Sequence, residues 1–317
     1  MTFASTSSTT VRLVAPADGR LAFERVEIPS LRSDELSVRI SKSLISAGTE
    51  IAKLRGLTRC PGTDAEDPLP LGYSAAGVVV AVGSPSVPFI PGDRVSAHAP
   101  HASYAAVDPE GVSRLPANVS FEEGAFDTLA ALGLHAVRCS QLEVGQSCAV
   151  VGFGLVGQLI ALCARVAGAR HVGILEHRAS RRALAARLGF DVAEPSSFDI
   201  VFEAAGTPSA LRDALALTAP CGRTIVAGSL REPVEVDVYR DVHRKGVTLI
   251  GVHGSTQRGE NHHWTERENR VAALDFISDR RLPVAALISH RLPAVDASVG
   301  FDLIEQRKTH GVILDWD

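Results

Sequence analysis

The feature that most constrains the fold is a glycine-rich segment, Val150-Val151-Gly152-Phe153-Gly154-Leu155-Val156-Gly157. The apolar run from Cys148 to Gly152 predicts a buried parallel strand, and the apolar spacing from Leu155 to Gly168 predicts a helix. In a strand–turn–helix unit, the first glycine of G-x-G-x-x-G permits a tight turn and the second lets the backbone approach a diphosphate. The third lets the helix pack close to the strand. The sequence therefore predicts a dinucleotide site, with the diphosphate at the amino end of the helix.

A second predicted strand, His171 to Glu176, ends in a carboxylate that can accept hydrogen bonds from the ribose hydroxyls of a dinucleotide. Glu176 would repel a 2′-phosphate, which favours NAD. Arginines follow it at once, and arginine binds phosphate through a fork of donors, so NADP stays open as the alternative. The residues expected to bind the dinucleotide are Gly152, Gly154, Leu155, Val156, Gly157, Glu176, Arg178, Arg181, Ala205, Gly228 and Ser229.

The composition limits the class of protein. With 317 residues, 45% hydrophobic and 21% charged, the chain has room for about two globular domains. A net charge of −4 does not suggest a nucleic-acid or membrane-surface partner. No apolar run approaches the roughly 18–20 residues that span a bilayer, and the first ten residues lack the pattern of a secretory signal. A small-molecule substrate is the expected partner.

The five cysteines form no C-x-x-C pair, and their number is odd. Cys148 and Cys163 lie in apolar stretches, which predicts buried thiols rather than a disulfide scaffold. We therefore expect a reduced, cytoplasmic chain. The cysteines are Cys60, Cys139, Cys148, Cys163 and Cys221.

Three regions follow one another along the chain. Residues 11 to about 115 show period-two alternation broken by Gly and Pro clusters, which predicts a largely antiparallel β-unit. Ser120 then opens a capping box whose helix is expected to run toward Cys139. Strands alternate with helices after it, and the tail from about 255 is expected to pack back onto the β-unit. The predicted parallel strands are Cys148–Gly152, Val172–Glu176, Asp191–Ala193, Ile200–Ala204, Thr224–Gly228 and Val247–Gly251.

Several of these motifs together resemble the medium-chain dehydrogenase/reductase superfamily, of the alcohol dehydrogenase type. The resemblance covers nearly the whole chain. It implies an α/β fold, in which a Rossmann doubly wound parallel sheet (126–255) is inserted into a GroES-like β-rich catalytic domain (1–125 and 256–317). It also implies a homodimer formed through the edge strand at Val247–Gly251, since an unpaired apolar edge is a liability. Besides the glycine-rich segment, its motifs are Ser46-Ala47-Gly48-Thr49-Glu50, Leu71-Gly72-Tyr73-Ser74, Pro91-Gly92-Asp93-Arg94-Val95 and Gly133-Leu134-His135-Ala136-Val137.

The ligands of the family's catalytic zinc are missing. Ala47 stands in the slot of a cysteine, Tyr73 replaces a histidine, and the third ligand falls on Asp127 or Thr128. Because a catalytic zinc needs three protein ligands, we expect no zinc. The chain thus resembles a zinc-lacking branch that includes bacteriochlorophyllide dehydrogenase and the dehydrogenase halves of bi-domain oxidoreductases. A metal held by His98 and His101 is disfavoured because His101 fits a strand of the β-unit.

Without a metal, a hydrogen-bond donor or an acid/base must act at the substrate oxygen. Tyr73 is the first candidate, because a phenol can donate to a developing alkoxide. The resemblance implies a proton-relay hydroxyl at Thr49 and a supporting acid at Glu50. It also places backbone contacts to the nicotinamide amide at Val252 and His253, and the imidazole of His253 could reach substrate.

The expected function is a zinc-independent NAD(P)-dependent oxidoreductase acting on a secondary alcohol or ketone of the sugar, cyclitol or secondary-metabolite type. One alternative is an NADPH-dependent ene- or quinone-reductase, which Glu176 disfavours. The other is a catalytically inactive nucleotide-binding relative, against which the retained Thr49 and Glu50 argue.

Overall fold

The computed structural model describes residues 9–16, 19–28, 30–57, 68–193, 197–257 and 264–317. Two compact units divide the chain by its internal contacts: unit 1 is Met1–Thr128 with Pro283–Asp317, and unit 2 is Leu129–Leu282. No helix in the described part is long and apolar enough to span a membrane. Cys60 lies outside the described residues, and Cys139, Cys148, Cys163 and Cys221 are free thiols.

The secondary structure follows in chain order. The strands are β1 Thr9–Ala15, β2 Ala22–Glu27, β3 Leu36–Leu44, β4 Leu69–Pro70, β5 Ala75–Val82, β6 Arg94–Ala97, β7 Tyr104–Val107, β8 Val112–Arg114, β9 Ser147–Val151, β10 His171–Leu175, β11 Asp191–Val192, β12 Phe198–Glu203, β13 Thr218–Val226, β14 Thr248–Gly251, β15 Ile288–Pro293 and β16 Gly311–Asp315. The helices are α1 Ala47–Leu54, α2 Phe121–Gly124, α3 Asp127–Cys139, α4 Leu155–Val166, α5 Ala179–Arg187, α6 Pro208–Leu217, α7 Glu266–Ser278 and α8 Ala297–Glu305.

Unit 1 is built on mainly antiparallel strands. Its larger sheet has the order β15-β16-β3-β5-β6-β8, with β7 also paired to β3, and its smaller sheet has the order β2-β1-β4 among the described residues. β16 runs antiparallel to β3, which brings the C-terminal segment into this unit. Phe301 of α8 and Trp316 bury their rings in the same core as Leu36 and Ile40.

Unit 2 contains a parallel sheet with the order β11-β10-β9-β12-β13-β14. Chain order reverses between β9 and β12, and ligands of such sheets bind outside the carboxyl ends of the strands at this switch point. β9 is buried along its whole length, as a central parallel strand should be. The predicted fold class, α/β with a GroES-like β-rich domain and an inserted Rossmann parallel sheet, is confirmed.

One helix boundary differs from the sequence prediction. The capping box at Ser120 is present, but α2 ends at Gly124 and α3 begins at Asp127 instead of one helix running to Cys139. Gly124 is a poor helix former, and the break buries Phe126 completely. Within unit 2, a hydrogen bond from Arg138 to Asn269 joins α3 to α7.

Candidate active site

The glycine-rich turn after β9 is shaped to hold a diphosphate. Gly152 has a φ of +92°, which permits the sharp turn out of the strand. A Cβ atom on Gly157 would lie 2.0 Å from the carbonyl oxygen of Gly152, so helix α4 packs against the strand at a distance that only glycine allows. Gly154 is the N-cap of α4 and offers no side-chain cap. The first-turn N–H groups, those of Leu155 and Val156 among them, are therefore available to an anion.

Glu176 follows β10 at the same edge of the sheet. Its Oε2 accepts a hydrogen bond from the backbone N–H of Phe153 (3.0 Å), and its Oε1 accepts one from Arg178 N–H (2.9 Å). Burial alone would raise the pKa of Glu176, but these two N–H groups and the charges of Arg181 and Arg178 hold it below its ordinary value. The carboxylate is ionised at neutral pH and lies beside the glycine-rich turn.

Arg181 connects Glu176 to the turn. Its Nη1 lies 3.5 Å from Oε2 of Glu176 and 3.4 Å from the position that a Cβ on Gly154 would occupy. Arg178 is the N-cap of α5. The predicted dinucleotide residues of the glycine-rich segment and of the segment after β10 are therefore brought together.

A further carboxylate lies at the carboxyl end of β12, where the sequence analysis did not look for one. Glu203 is fully buried, and its Oε1 accepts hydrogen bonds from the N–H groups of Ala205 (2.8 Å) and Gly206 (2.6 Å). A Cβ on Gly228 would lie 2.6 Å from Oε2 of Glu203. Burial raises the pKa of Glu203, against the backbone hydrogen bonds from Gly206, Ala205, Gly228 and Thr207.

Glu203 thus joins the two loops that contain the predicted residues Ala205, Gly228 and Ser229. The sequence offered the same kind of indication as for Glu176, namely an acid at the end of a predicted strand of the parallel sheet. Glu203 was missed because, unlike Glu176, it does not lie at a known spacing from the glycine-rich motif.

Val252 and His253 follow β14. Val252 is buried, and its N–H donates to the carbonyl oxygen of Val226 (2.9 Å). His253 is exposed, and its Nδ1 lies 2.7 Å from Oγ of Ser255 and accepts the Ser255 N–H (3.2 Å). Nδ1 of the imidazole is thus hydrogen-bonded to Ser255 of the same loop.

In unit 1, the predicted catalytic candidates lie around the start of helix α1. The hydroxyl of Tyr73 lies 2.5 Å from the hydroxyl of Ser46, the N-cap residue of α1. A serine at this position usually caps the helix through its side chain, and Ser46 makes no such bond. Its hydroxyl instead forms a hydrogen bond with the hydroxyl of Tyr73. Positions where a residue departs from its usual structural role, as Ser46 does from N-capping, are commonly functional sites.

The proton of the Tyr73 phenol is held firmly. Burial raises the pKa of Tyr73 above its ordinary value, hydrogen bonds with Ser46 and Thr49 oppose that rise, and the nearby charge of Glu50 adds to it. The phenol is therefore a neutral donor at physiological pH. Tyr73, Thr49 and Glu50 lie close together around the start of α1.

Glu50 is fully buried in the first turn of α1, and its Oε1 accepts the N–H of Ser46 (2.7 Å). Its other oxygen lies 2.9 Å from Nε2 of His101, which is also fully buried. His101, expected in a strand, precedes β7 and faces Glu50. Its position in an alanine-rich stretch, where a histidine needs partners once buried, was the only available indication.

The zinc slots of the family pattern hold no set of ligands here. Ala47 is the first residue of α1, and the Tyr73 hydroxyl is engaged with Ser46. Asp127 accepts a hydrogen bond from Ser96 (2.6 Å), and Thr128 donates toward the carbonyl oxygen of Tyr73 (3.5 Å). Among the residues that the structure describes, no group of three or more His, Cys, Asp or Glu side chains could hold a metal ion. The described side chains at these slots do not fit a catalytic zinc.

Comparison with known proteins gives a consistent result. Residues 156–272 match the family model described as zinc-binding dehydrogenase. L-threonine 3-dehydrogenase from Pectobacterium atrosepticum is 26% identical over 336 residues, covering 92% of this chain and 89% of the relative. The crystal structure of 2R,3R-butanediol dehydrogenase from Bacillus subtilis superposes with a TM-score of 0.84 at 22% identity, covering 96% and 99% of the two chains. A protein from Sinorhizobium meliloti 1021 bound to NADP superposes with a TM-score of 0.82 at 22% identity, covering 98% and 100%.

Proposed function

We propose that this chain, which resembles the medium-chain dehydrogenases/reductases over residues 156–272 and in its relatives, transfers a hydride between a nicotinamide dinucleotide and a secondary alcohol or ketone without a catalytic zinc. The observation that carries the proposal is the 2.5 Å pair of hydroxyls, Tyr73 and Ser46, in the region where zinc members of the family bind their metal. We propose a sugar, cyclitol or secondary metabolite as the substrate class.

The residues of unit 2 fit a dinucleotide. The turn at Gly152 and the uncapped end of α4 suit the diphosphate. The ionised Glu176 suits the ribose hydroxyls of NAD and would repel a 2′-phosphate. The nicotinamide supplies the hydride chemistry when bound. Arg181 lies 3.5 Å from Glu176, where the adenosine ribose is expected, and can therefore contact a 2′-phosphate, so NADP remains the second choice. One structural neighbour is bound to NADP.

The proton chemistry is assigned to Tyr73. A phenol that stays protonated at neutral pH donates a hydrogen bond to the carbonyl oxygen of a ketone and transfers its proton as the alkoxide forms. We propose that the Ser46 and Thr49 hydroxyls, which contact Tyr73, relay a proton from solvent back to the phenolate. We assign no proton transfer to His253, because Nδ1 of its ring is taken up by Ser255.

The first experiment is a titration of purified protein with NADH and with NADPH by fluorescence quenching, together with a zinc assay. We expect tight NADH binding and no stoichiometric zinc, followed by turnover in a screen of polyols and ketones. A preference for NADPH with turnover of enones would favour the ene- or quinone-reductase. Binding without turnover would favour an inactive relative, and no binding of either dinucleotide would overturn the proposal.

A further inference from the structure

A chain of buried polar groups lies beneath the Tyr73–Ser46 pair in unit 1. Its centre is His101, which is 0% exposed and lies between β6 and β7. Nε2 of His101 is 2.9 Å from Oε2 of Glu50, which is also 0% exposed. Removing either partner would leave the other buried without its hydrogen bond, so the two side chains hold each other in place.

The second ring nitrogen of His101 is fixed as well. Its Nδ1 lies 2.8 Å from Oγ of Ser43, and this same oxygen accepts a hydrogen bond from Nε1 of Trp316 (2.8 Å). Because an indole only donates, the hydroxyl hydrogen of Ser43 is free to donate to Nδ1. Nε2 then carries the ring hydrogen and donates it to Glu50. The hydrogen bonds thus select one tautomer and one orientation of the ring.

Two routes lead from His101 to Tyr73. The first passes through Glu50, whose Oε1 accepts the N–H of Ser46 (2.7 Å), and the hydroxyl of Ser46 contacts Tyr73. The second is the backbone just before Tyr73. Leu71 accepts the N–H of His101 (2.8 Å), and a Cβ on Gly72 would lie 2.7 Å from Cγ of the His101 ring.

Gly72 has a φ of +87°, which an L side chain rarely adopts. The turn that precedes Tyr73 therefore packs directly against the imidazole of His101, and no larger residue could replace Gly72. His101 contacts both the helix start that presents Ser46 and the turn that presents Tyr73.

We propose that His101 is a positioning residue for Tyr73: through Glu50 and the turn at Gly72, it keeps the phenol aligned with the Ser46 hydroxyl. It touches neither substrate nor cofactor and acts through these neighbours. The effect on turnover rests on the proposed function, whereas the alignment of the phenol does not.

The test measures the environment of the Tyr73 phenol by NMR. The chain has three tyrosines, Tyr73, Tyr104 and Tyr239. Labelling with tyrosine carrying ¹³C at Cζ therefore gives three NMR resonances, which single Tyr→Phe variants assign. The variants to compare are His101→Leu, which removes both ring nitrogens, and His101→Gln, whose amide can still donate to Glu50. His135→Leu, at a buried histidine of unit 2, is the matched control.

We expect His101→Leu to move the Tyr73 resonance and change its titration curve, His101→Gln to restore part of both, and His135→Leu to leave Tyr73 unchanged. Glu50→Gln removes a charge that opposes phenol ionisation, so Tyr73 should titrate at lower pH in that variant. With a substrate in hand, His101→Leu should lower kcat about tenfold or more at a nearly unchanged KM for the dinucleotide.

A Tyr73 resonance unmoved in folded His101→Leu would overturn the proposal. If that variant does not fold, a Tyr73 resonance unmoved in folded His101→Gln, which lacks the imidazole ring and its contact with Ser43, overturns the proposal equally. The NMR readout needs no substrate, so it stands apart from the proposed function. A Tyr73→Phe variant that keeps full turnover would refute the catalytic assignment alone and leave the positioning of the phenol intact.

Discussion

Replacing Tyr73 by phenylalanine removes one oxygen atom and leaves the ring, including its stacking on His98 at 5.7 Å between centroids. If the phenol supplies the donor at the substrate oxygen, Tyr73→Phe should lower kcat by about 10²–10³, the usual loss for one donor of this kind. The variant should still bind NADH as tightly as the wild type, since the residues assigned to the dinucleotide lie in unit 2. Steady-state kinetics and a dinucleotide titration measure the two effects.

Tyr239→Phe is the matched control, because that ring is 66% exposed and lies outside the proposed site. Its kinetics should equal those of the wild type. Loss of NADH binding in Tyr73→Phe would show instead that the substitution disturbs the fold as a whole, and an unchanged kcat would remove Tyr73 from the mechanism.

Single residues also show which parts of the candidate site the sequence can predict. Tyr73, Thr49 and Glu50 were found because two short motifs carry them. The Glu50–His101 contact joins residues 51 positions apart, and no local pattern encodes such a pair. Glu203 was missed for a related reason. Its place at the candidate site depends on which strands end next to β12 in the sheet, and that order cannot be read from a local motif.

At the scale of elements, the approach of helix α4 to the turn after β9 leaves no room for one added carbon atom. A Cβ on Gly157 would meet the carbonyl oxygen of Gly152 at 2.0 Å and Cγ1 of Val150 at 3.3 Å. Gly157→Ala should therefore push the helix away from the strand, at a cost of about 1–3 kcal/mol in the free energy of unfolding. Because the same shift displaces the anion-binding end of α4, NADH affinity should fall at least about tenfold.

Chemical denaturation and NADH titration test this expectation. Gly254→Ala is the control, because a Cβ there meets no atom within 4 Å and both properties should be unaffected. Wild-type stability and affinity in Gly157→Ala would mean that the helix and strand are not held as closely as described.

Elements were more predictable than the turns between them. The strand before the glycines and the helix after them were placed within one or two residues, because apolar periodicity and glycine spacing agree there. The break between α2 and α3 was not foreseen, because a single poor helix former such as Gly124 does not by itself show where a helix ends, and the burial of Phe126 is set by tertiary packing.

For the whole molecule, we expect a homodimer through the edge of the parallel sheet. Among the described strands the order ends at β14, where Leu249 is 48% exposed. Leu249→Lys places a charge on this edge and should shift the sedimentation coefficient from that of a dimer to that of a monomer. Val144→Lys, at a residue 86% exposed elsewhere in unit 2, should remain dimeric. A wild-type monomer at micromolar concentration would contradict the expectation.

For the whole molecule, we also predict a response to chelators that differs from that of zinc-dependent dehydrogenases. A catalytic zinc needs three protein ligands, and where the chain is described no set of three candidate side chains comes together. Dialysis against EDTA or dipicolinate should therefore change neither turnover nor the melting temperature, whereas saturating NADH should raise that temperature by mass action. Zinc added after dialysis should not increase turnover, because chelation is expected to remove no activity. One equivalent of zinc in the purified protein, removed together with activity and recovered on reloading, would refute metal-free catalysis and leave Tyr73 without its proposed role.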